Sequence, residues 1–279
     1  MSFGTLISCA ELHALQAALS PLVLLDASAD LSDPASAERT YAAGHVPGAH
    51  HAHLERDLCG AKTGHNGRHP LPTREAFAVT AGAWGIAPST QVVVFDGQGS
   101  PYAAHLWWML RWLGHQQVAV LDGGLKAWRD SGGELVTAAS VANPQAPYPL
   151  AAHTMPTLDA TQVLASLGRR PLLDARAGER FRGEVEPLDP VAGHIPGASQ
   201  RFFKDNLDAA GFFKPATELR AAFEAMGSAP ADVTHSCGSG VTACVNLLAM
   251  EHAGLGGSAL YSGSWSEWCS DPARPVARG

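Results

Sequence analysis

Short apolar runs bounded by turn residues recur along the chain, among them Leu22 to Leu25, Val92 to Phe95 and Val118 to Leu121. Brief, rich in β-branched valine and without polar alternation, they read as strands buried on both faces. Between them lie longer segments with apolar positions at helical spacing, such as the one through Trp107, Trp108, Leu110 and Leu113. Strands alternating with helices predict an α/β fold whose mainly parallel sheets are flanked by helices. The site of such a fold is expected at the carboxyl ends of the strands, where loops meet helix N-termini.

The pattern occurs twice. Leu24-Leu25-Asp26-Ala27-Ser28 returns as Leu172-Leu173-Asp174-Ala175-Arg176, and Gly44-His45-Val46-Pro47-Gly48-Ala49 as Gly193-His194-Ile195-Pro196-Gly197-Ala198. A third pair, Gly123 to Trp128 and Gly263 to Trp268, completes a tandem duplication. Residues 137–157 carry the dipeptides Asn143-Pro144, Ala146-Pro147, Tyr148-Pro149 and Met155-Pro156, which favour extended backbone without helix. The expected organisation is a first domain over 1–136, a linker over 137–157 and a second domain over 158–279.

Composition narrows the function classes. With 46% hydrophobic and 16% charged residues in 279, the chain is globular, and a net charge of −7 leaves no broad basic footprint for nucleic acid or an anionic membrane. No apolar run approaches the roughly 18 residues of a spanning helix, and Met1 to Thr5 lack the regions of a secretory signal, so a soluble, cytoplasmic protein is expected. Five cysteines, an odd number in a large chain, point to reduced thiols rather than a disulfide framework.

The chemistry concentrates after Asp232-Val233-Thr234-His235-Ser236. Cys237 opens the loop Cys237-Gly238-Ser239-Gly240-Val241-Thr242, and a helix follows to about Gly254. Two glycines around a serine let successive amides turn inward on one point, and the helix N-terminus adds a favourable field for negative charge of roughly 0.3 to 1 kcal/mol. A thiolate is the expected resting form there, a nucleophile for soft electrophiles whose cradle also holds the outer sulfur of a persulfide. The first copy is an internal control, because Val92-Val93-Val94-Phe95 leads into Asp96-Gly97-Gln98-Gly99-Ser100-Pro101, with Asp96 at the cysteine position. A carboxylate is no sulfur nucleophile, so the first domain is expected to be catalytically inactive.

Both Gly-His-x-Pro-Gly-Ala turns, Leu121-Asp122-Gly123-Gly124 with Trp128, Asp174-Ala175-Arg176 with Arg180-Phe181-Arg182-Gly183, and Gly263-Ser264-Trp265 with Trp268 together resemble the tandem rhodanese-domain sulfurtransferases, over essentially the whole chain. The loop from Cys237 to Thr242 is similar to that of 3-mercaptopyruvate sulfurtransferases. The resemblance implies two rhodanese-like domains, a persulfide on Cys237, a small-molecule sulfur donor, a thiol, thioredoxin or cyanide acceptor, and no metal or organic cofactor. It assigns the donor carboxylate to Arg180, with Arg182 as a second candidate, since a guanidinium binds a carboxylate through two hydrogen bonds. It also points to His45 and Asp33 as partners of a loop serine, although His194 fills the same turn in the other copy and makes a turn anchor the simpler role.

The loop of Gly238, Ser239 and Gly240 is neutral, which suits mercaptopyruvate over a dianion. Ser239 is placed at the reaction and Thr242 at the helix cap. Two positions depart from the mercaptopyruvate enzymes: Glu184-Val185-Glu186-Pro187-Leu188-Asp189-Pro190 contains no second substrate arginine, and His105 stands where relatives often have arginine. A thiosulfate:cyanide sulfurtransferase and a partner-fed persulfide carrier remain as alternatives. Phosphatase chemistry is disfavoured, since the sixth residue after Cys237 is Ala243 and no loop arginine exists. The histidine-rich stretch of His50, His51, His53, Cys59, His65 and His69 reads as a loop rather than a metal site, and Cys244 as core.

Overall fold

The computed structural model describes residues 2–18, 21–152 and 155–279, so the linker positions His153 and Thr154 lie outside the described residues. The chain forms two compact units, one of residues 1–59 and 72–154, the other of 60–71 and 155–279.

In the first unit five strands, β1 (Leu6–Ile7), β2 (Leu22–Asp26), β3 (Ala49–His51), β4 (Gln91–Phe95) and β5 (Val118–Leu121), pair in the order β1-β5-β4-β2-β3. Every pairing is parallel. The register aligns Val23 with Val92 and Val92 with Val118, so the predicted apolar runs become the middle of the sheet. One sheet face packs Leu24, Val93, Phe95, Ala119 and Leu121 against Leu12, Leu125 and Trp128. Each fully buried large side chain of this set contributes roughly 1.5–3 kcal/mol relative to exposure.

The second unit repeats the plan with β6 (Leu172–Asp174), β7 (Ala198–Gln200), β8 (Thr234–Ser236) and β9 (Ala259–Leu260), in the order β7-β6-β8-β9 and again all parallel. The counterpart of β1 shrinks to one parallel bridge from Thr157 to Leu260. Local signals recur as well. The first helix of each unit, Cys9–Ala17 and Ala160–Ser166, starts on a capping box, Ser8 with Glu11 and Asp159 with Gln162. At the ends of β2 and β6, Asp26 accepts from the Ser28 amide at 2.9 Å and Asp174 from the Arg176 amide at 3.0 Å.

Two boundaries differ from the sequence expectation. Most of the 137–157 stretch belongs to the first unit, because the Tyr148 amide donates to Ala78 O, the Gln145 amide donates to Gly82 O, and the Tyr148 ring is buried beside His115. The described residues of this stretch form no helix, as expected, but they are packed rather than free. The second difference bears on function. Residues 60–71, taken from composition as a first-domain loop, belong to the second unit. The Arg68 amide donates to Ser266 Oγ at 3.0 Å, and the Gly60 amide closes the segment on Pro70 O at 2.7 Å.

Candidate active site

Cys237 leaves the carboxyl end of β8, where parallel pairing with β6 and β9 fixes its place, and the helix Ala243–His252 follows the loop. The residue is 1% exposed. Its backbone is clamped by the next βα connection: the Cys237 amide donates to Ser264 Oγ at 3.0 Å, and Cys237 O accepts from the Trp265 amide at 3.0 Å. Ser264 holds that position at a φ of 51°, in the left-handed region that a non-glycine residue occupies at a cost of roughly 1–2 kcal/mol. Strain of this kind persists only where surrounding bonds fix it, and here Ser264 Oγ also donates to Tyr261 O at 2.8 Å.

The first unit reveals what such a loop binds. Asp96 is buried, and its carboxylate accepts four backbone N–H groups, from Gln98, Ser100, Tyr102 and Ala103, each at 2.9 Å. Burial pushes this carboxyl above its usual range, and the four amides oppose that push. In register, Cys237 stands at Asp96, and Ser239, Val241, Ala243 and Cys244 stand at the four donors. The backbones agree in part: Gly99 has φ 84° and Gly240 φ 82°, and the Leu125 amide reaches Asp96 O as that of Trp265 reaches Cys237 O, whereas Ser100 is left-handed at φ 76° and its counterpart Val241 is not. One unit thus encloses a carboxylate in loop amides, and Cys237 stands at the equivalent position of the other.

Other ionisable neighbours of the loop are poor nucleophiles or bases. Burial pushes the Cys244 thiol well up, and its Sγ lies 3.3 Å from Gly240 O, as expected of a core residue. Burial, followed by the Asp189 charge, pushes Cys269 up to about 11. His235 in β8 is fully buried and is pushed down to about 3 by desolvation, so its ring stays neutral.

Ser239, placed at the reaction by the sequence, is buried with its Oγ 2.8 Å from His69 Nδ1. The histidine on the loop serine is thus His69, not His45. His45 and His194 instead perform one structural task in the two copies. Each ring bonds a backbone carbonyl through Nδ1, Tyr41 O at 2.9 Å or Phe181 O at 2.8 Å, and stacks on that residue's ring at 3.9 Å. Each also makes an antiparallel bridge, to Val136 or Ala277. Asp33 lies at the surface in an ion pair with Arg39 at 2.5 Å. Thr242 occupies the N-cap position, but its side chain makes no capping bond. The expected hydroxyl cap is absent because its backbone is already helical, at φ −69° and ψ −20°, whereas a capping side chain needs an extended residue.

The two candidate arginines separate. Arg182 ends its short helix at the surface, paired with Glu184 at 2.7 Å, and both side chains are about half exposed. Arg180 goes to the cysteine loop: a β-carbon on Gly238 would lie 3.5 and 3.6 Å from its Nη1 and Nη2. Its carboxylate partners are Glu186 at 2.6 Å and Asp189 at 3.5 Å rather than the nearer Glu179 or Glu184. A second guanidinium that the sequence left unassigned, that of Arg68, stands at the same place, with Nη2 3.1 Å from that β-carbon position. Arg176 is buried behind them, paired with Asp174 at 2.7 Å and lying over the Trp265 ring at 5.0 Å. Burial works against its charge, but Asp174 and Glu186 outweigh this and raise its pKa.

Substituting Gly238 by alanine is expected to push aside the end of Arg68, 3.1 Å away, and to leave the Arg180 nitrogens in ordinary contact at 3.5 and 3.6 Å. The variant should fold normally, with a donor KM raised about tenfold and a smaller change in kcat, measured by steady-state kinetics beside thermal melting.

Among the described residues no group of three or more His, Cys, Asp or Glu side chains is arranged to hold a metal ion. No helix among them is long and apolar enough to cross a membrane.

Comparison with known proteins gives a consistent picture. Residues 8–131 match the rhodanese-like domain family. A Pseudomonas aeruginosa protein named "Probable 3-mercaptopyruvate sulfurtransferase" is 45% identical over 285 residues, covering 100% of both chains. Human 3-mercaptopyruvate sulfurtransferase is 38% identical, covering 89% of this chain and 85% of its own. A protein from Arabidopsis thaliana named thiosulfate/3-mercaptopyruvate sulfurtransferase 2 is 36% identical, with 85% and 75% covered. Among solved structures, the 3-mercaptopyruvate sulfotransferase SseA from Escherichia coli superimposes with a TM-score of 0.80 at 30% identity, covering 94% of this chain and 99% of its own.

Proposed function

We propose, on the premise that this chain belongs to the rhodanese-like sulfurtransferase family, that it moves sulfane sulfur from 3-mercaptopyruvate through a Cys237 persulfide to a thiol, thioredoxin or cyanide. What supports the reading is the correspondence of the two loops: Cys237, buried at the end of its strand, stands at the position of Asp96, whose carboxylate four loop amides enclose. Donors arranged to stabilise an anion suit both the thiolate and the persulfide, without reorganisation between the two states.

In the first step the Cys237 thiolate attacks the donor sulfur. A sulfur–sulfur bond forms, the donor's carbon–sulfur bond breaks, and the electron pair leaves as pyruvate enolate. Ser239, bonded to His69, offers a proton path to that enolate. In the second step the acceptor's thiolate or cyanide takes the outer sulfur and returns Cys237 to the thiolate. Arg180 binds the donor carboxylate at the mouth of the loop. The first domain takes no part in sulfur chemistry, since Asp96 fills its nest. All five cysteines are free thiols, which accords with a reducing, cytoplasmic setting.

Relatives named for thiosulfate as well as mercaptopyruvate make the donor the point to test. Purified protein should show a kcat/KM about tenfold or more higher with 3-mercaptopyruvate than with thiosulfate, using one thiol acceptor and a Cys237→Ser control. Arg180→Ala should raise the mercaptopyruvate KM by roughly 10- to 100-fold, as expected for a lost charged hydrogen bond. Preference for thiosulfate would overturn the donor assignment, and activity independent of Cys237 would overturn the mechanism.

A further inference from the structure

The parallel pairing of β8 with β9 runs out at the nucleophile. The Ala259 amide donates to Val233 O and the Tyr261 amide to His235 O, each at 2.9 Å, and His235 faces Leu260 in register. The next rung of a regular parallel ladder would run from the Cys237 amide to Tyr261 O. A hydroxyl stands in it instead. The Cys237 amide donates to Ser264 Oγ at 3.0 Å, and Ser264 Oγ donates to Tyr261 O at 2.8 Å. A direct rung would hold the amide about 2.9 Å from that carbonyl, whereas two bonds in series hold it farther off. One oxygen atom, that of Ser264, keeps the start of the cysteine loop out of the sheet.

The first unit has no such insertion. Gly124 occupies the position of Ser264, and with φ 57° against 51° the two residues turn the same way. A β-carbon on Gly124 would lie 2.5 Å from Asp96 O, so that turn has no room for a side chain. The preceding glycine differs between the copies. Gly123 is left-handed at φ 75° and ψ −1°, whereas Gly263 is helical at φ −64° and ψ −32°. A left-handed backbone suits glycine better than serine, yet the copy with the nucleophile carries the serine. The fold does not require it, since the same turn is built on glycine in the other unit.

We propose that Ser264 is a positioning residue for Cys237: its hydroxyl splits the last rung between β8 and β9 and so fixes where the sulfur stands, and its backbone strain is retained for that purpose. The proposal rests on the function given above for Cys237 and adds a group that acts through the Cys237 backbone.

The test compares Ser264→Gly with Ser264→Ala in the full chain. Both lose the hydroxyl, but only the glycine also relieves the left-handed backbone, so its melting temperature should exceed that of the alanine variant by about 2–4 °C. Both should lose kcat by about 10²-fold, the effect of a displacement of about 1 Å at a reacting centre. The KM for 3-mercaptopyruvate, and the Kd of pyruvate by calorimetry, should stay within about threefold of the wild type. A crystal structure of Ser264→Gly should show the Cys237 amide bonded directly to Tyr261 O. A kcat that followed the melting temperature, lower in the alanine variant than in the glycine variant, would overturn the proposal and leave Ser264 a purely structural residue. So would Ser264→Gly with a kcat within about threefold of the wild type, or an unmoved Cys237 in its crystal structure. A wild type with no Cys237-dependent transfer would instead sink the proposed function, and the crystal structure would still decide whether Ser264 sets the place of Cys237.

Discussion

Cys237→Ser protein is expected to fold like the wild type and to lose sulfur transfer by on the order of 10⁴-fold or more. The two substituents differ by one atom in a site only 1% exposed, and the bonds that fix this residue come from its backbone, to Ser264 Oγ and from the Trp265 amide. Neither bond uses the sulfur, so the melting temperature should move by only a few degrees. The chemistry has no such tolerance. A hydroxyl stays protonated where a thiol ionises, oxygen is a poor nucleophile toward divalent sulfur, and no persulfide can form on it. Intact-protein mass spectrometry after incubation with donor and no acceptor should show one added sulfur atom on the wild type and none on the variant. A variant that kept more than about a hundredth of the activity would show that the nest does not hold the nucleophile.

The fold was legible from periodicity because the duplication printed every landmark twice. The Leu-Leu-Asp-Ala strand ends, the histidine turns and the tryptophan helices each occupy equivalent places in the two units. The candidate nucleophile stood out for the same reason, since a loop and its carboxylate counterpart could be compared within one chain. The surrounding groups were much less so. His69 and Arg68 lie about 170 residues from the loop they serve, and no local spacing links them to Ser239 or Gly238. The stretch that contains them was weighed only as possible metal ligands, and its role follows from packing on the second unit. His45 is the converse case, since the repetition of its turn in both copies already favoured an anchor over a catalytic role. Its turn is conspicuous in sequence, yet the ring bonds its own helix carbonyl and stacks on Tyr41, as His194 does on Phe181. A usable signal for the missing cation was present in Glu186 and Asp189. Carboxylates so close to a predicted site, when buried, require cations, and Arg176 and Arg180 are two charges for the three carboxylates Asp174, Glu186 and Asp189.

Gly240→Ala should be the most damaging substitution that leaves every reactive side chain in place. Glycine at this position has a φ of 82°, a conformation that costs an alanine roughly 1–2 kcal/mol. Its added β-carbon would also lie 2.3 Å from Ser262 O, a backbone atom of the connection that holds Cys237 through Ser264. Neither partner can yield alone: Ser262 precedes the strained Ser264, and Gly240 O receives the Cys244 thiol at 3.3 Å. Relief therefore requires the loop and the 262–264 turn to move apart, which shifts Cys237, held by that turn through Ser264 Oγ and the Trp265 amide. A displacement of about 1 Å at a reacting centre commonly lowers rates by about 10²-fold. The expected result is a loss of about 2–4 kcal/mol in stability, seen in denaturant unfolding, and a kcat reduced by about 10²- to 10³-fold with Cys237 still present. Alkylation of Cys237 by a small electrophile should change in parallel, because the same displacement moves the sulfur and its surroundings. A kcat within about threefold of wild type would mean that the nest contributes little to stabilising the sulfur anion, and the catalytic weight would then fall on Ser239, His69 and the two arginines.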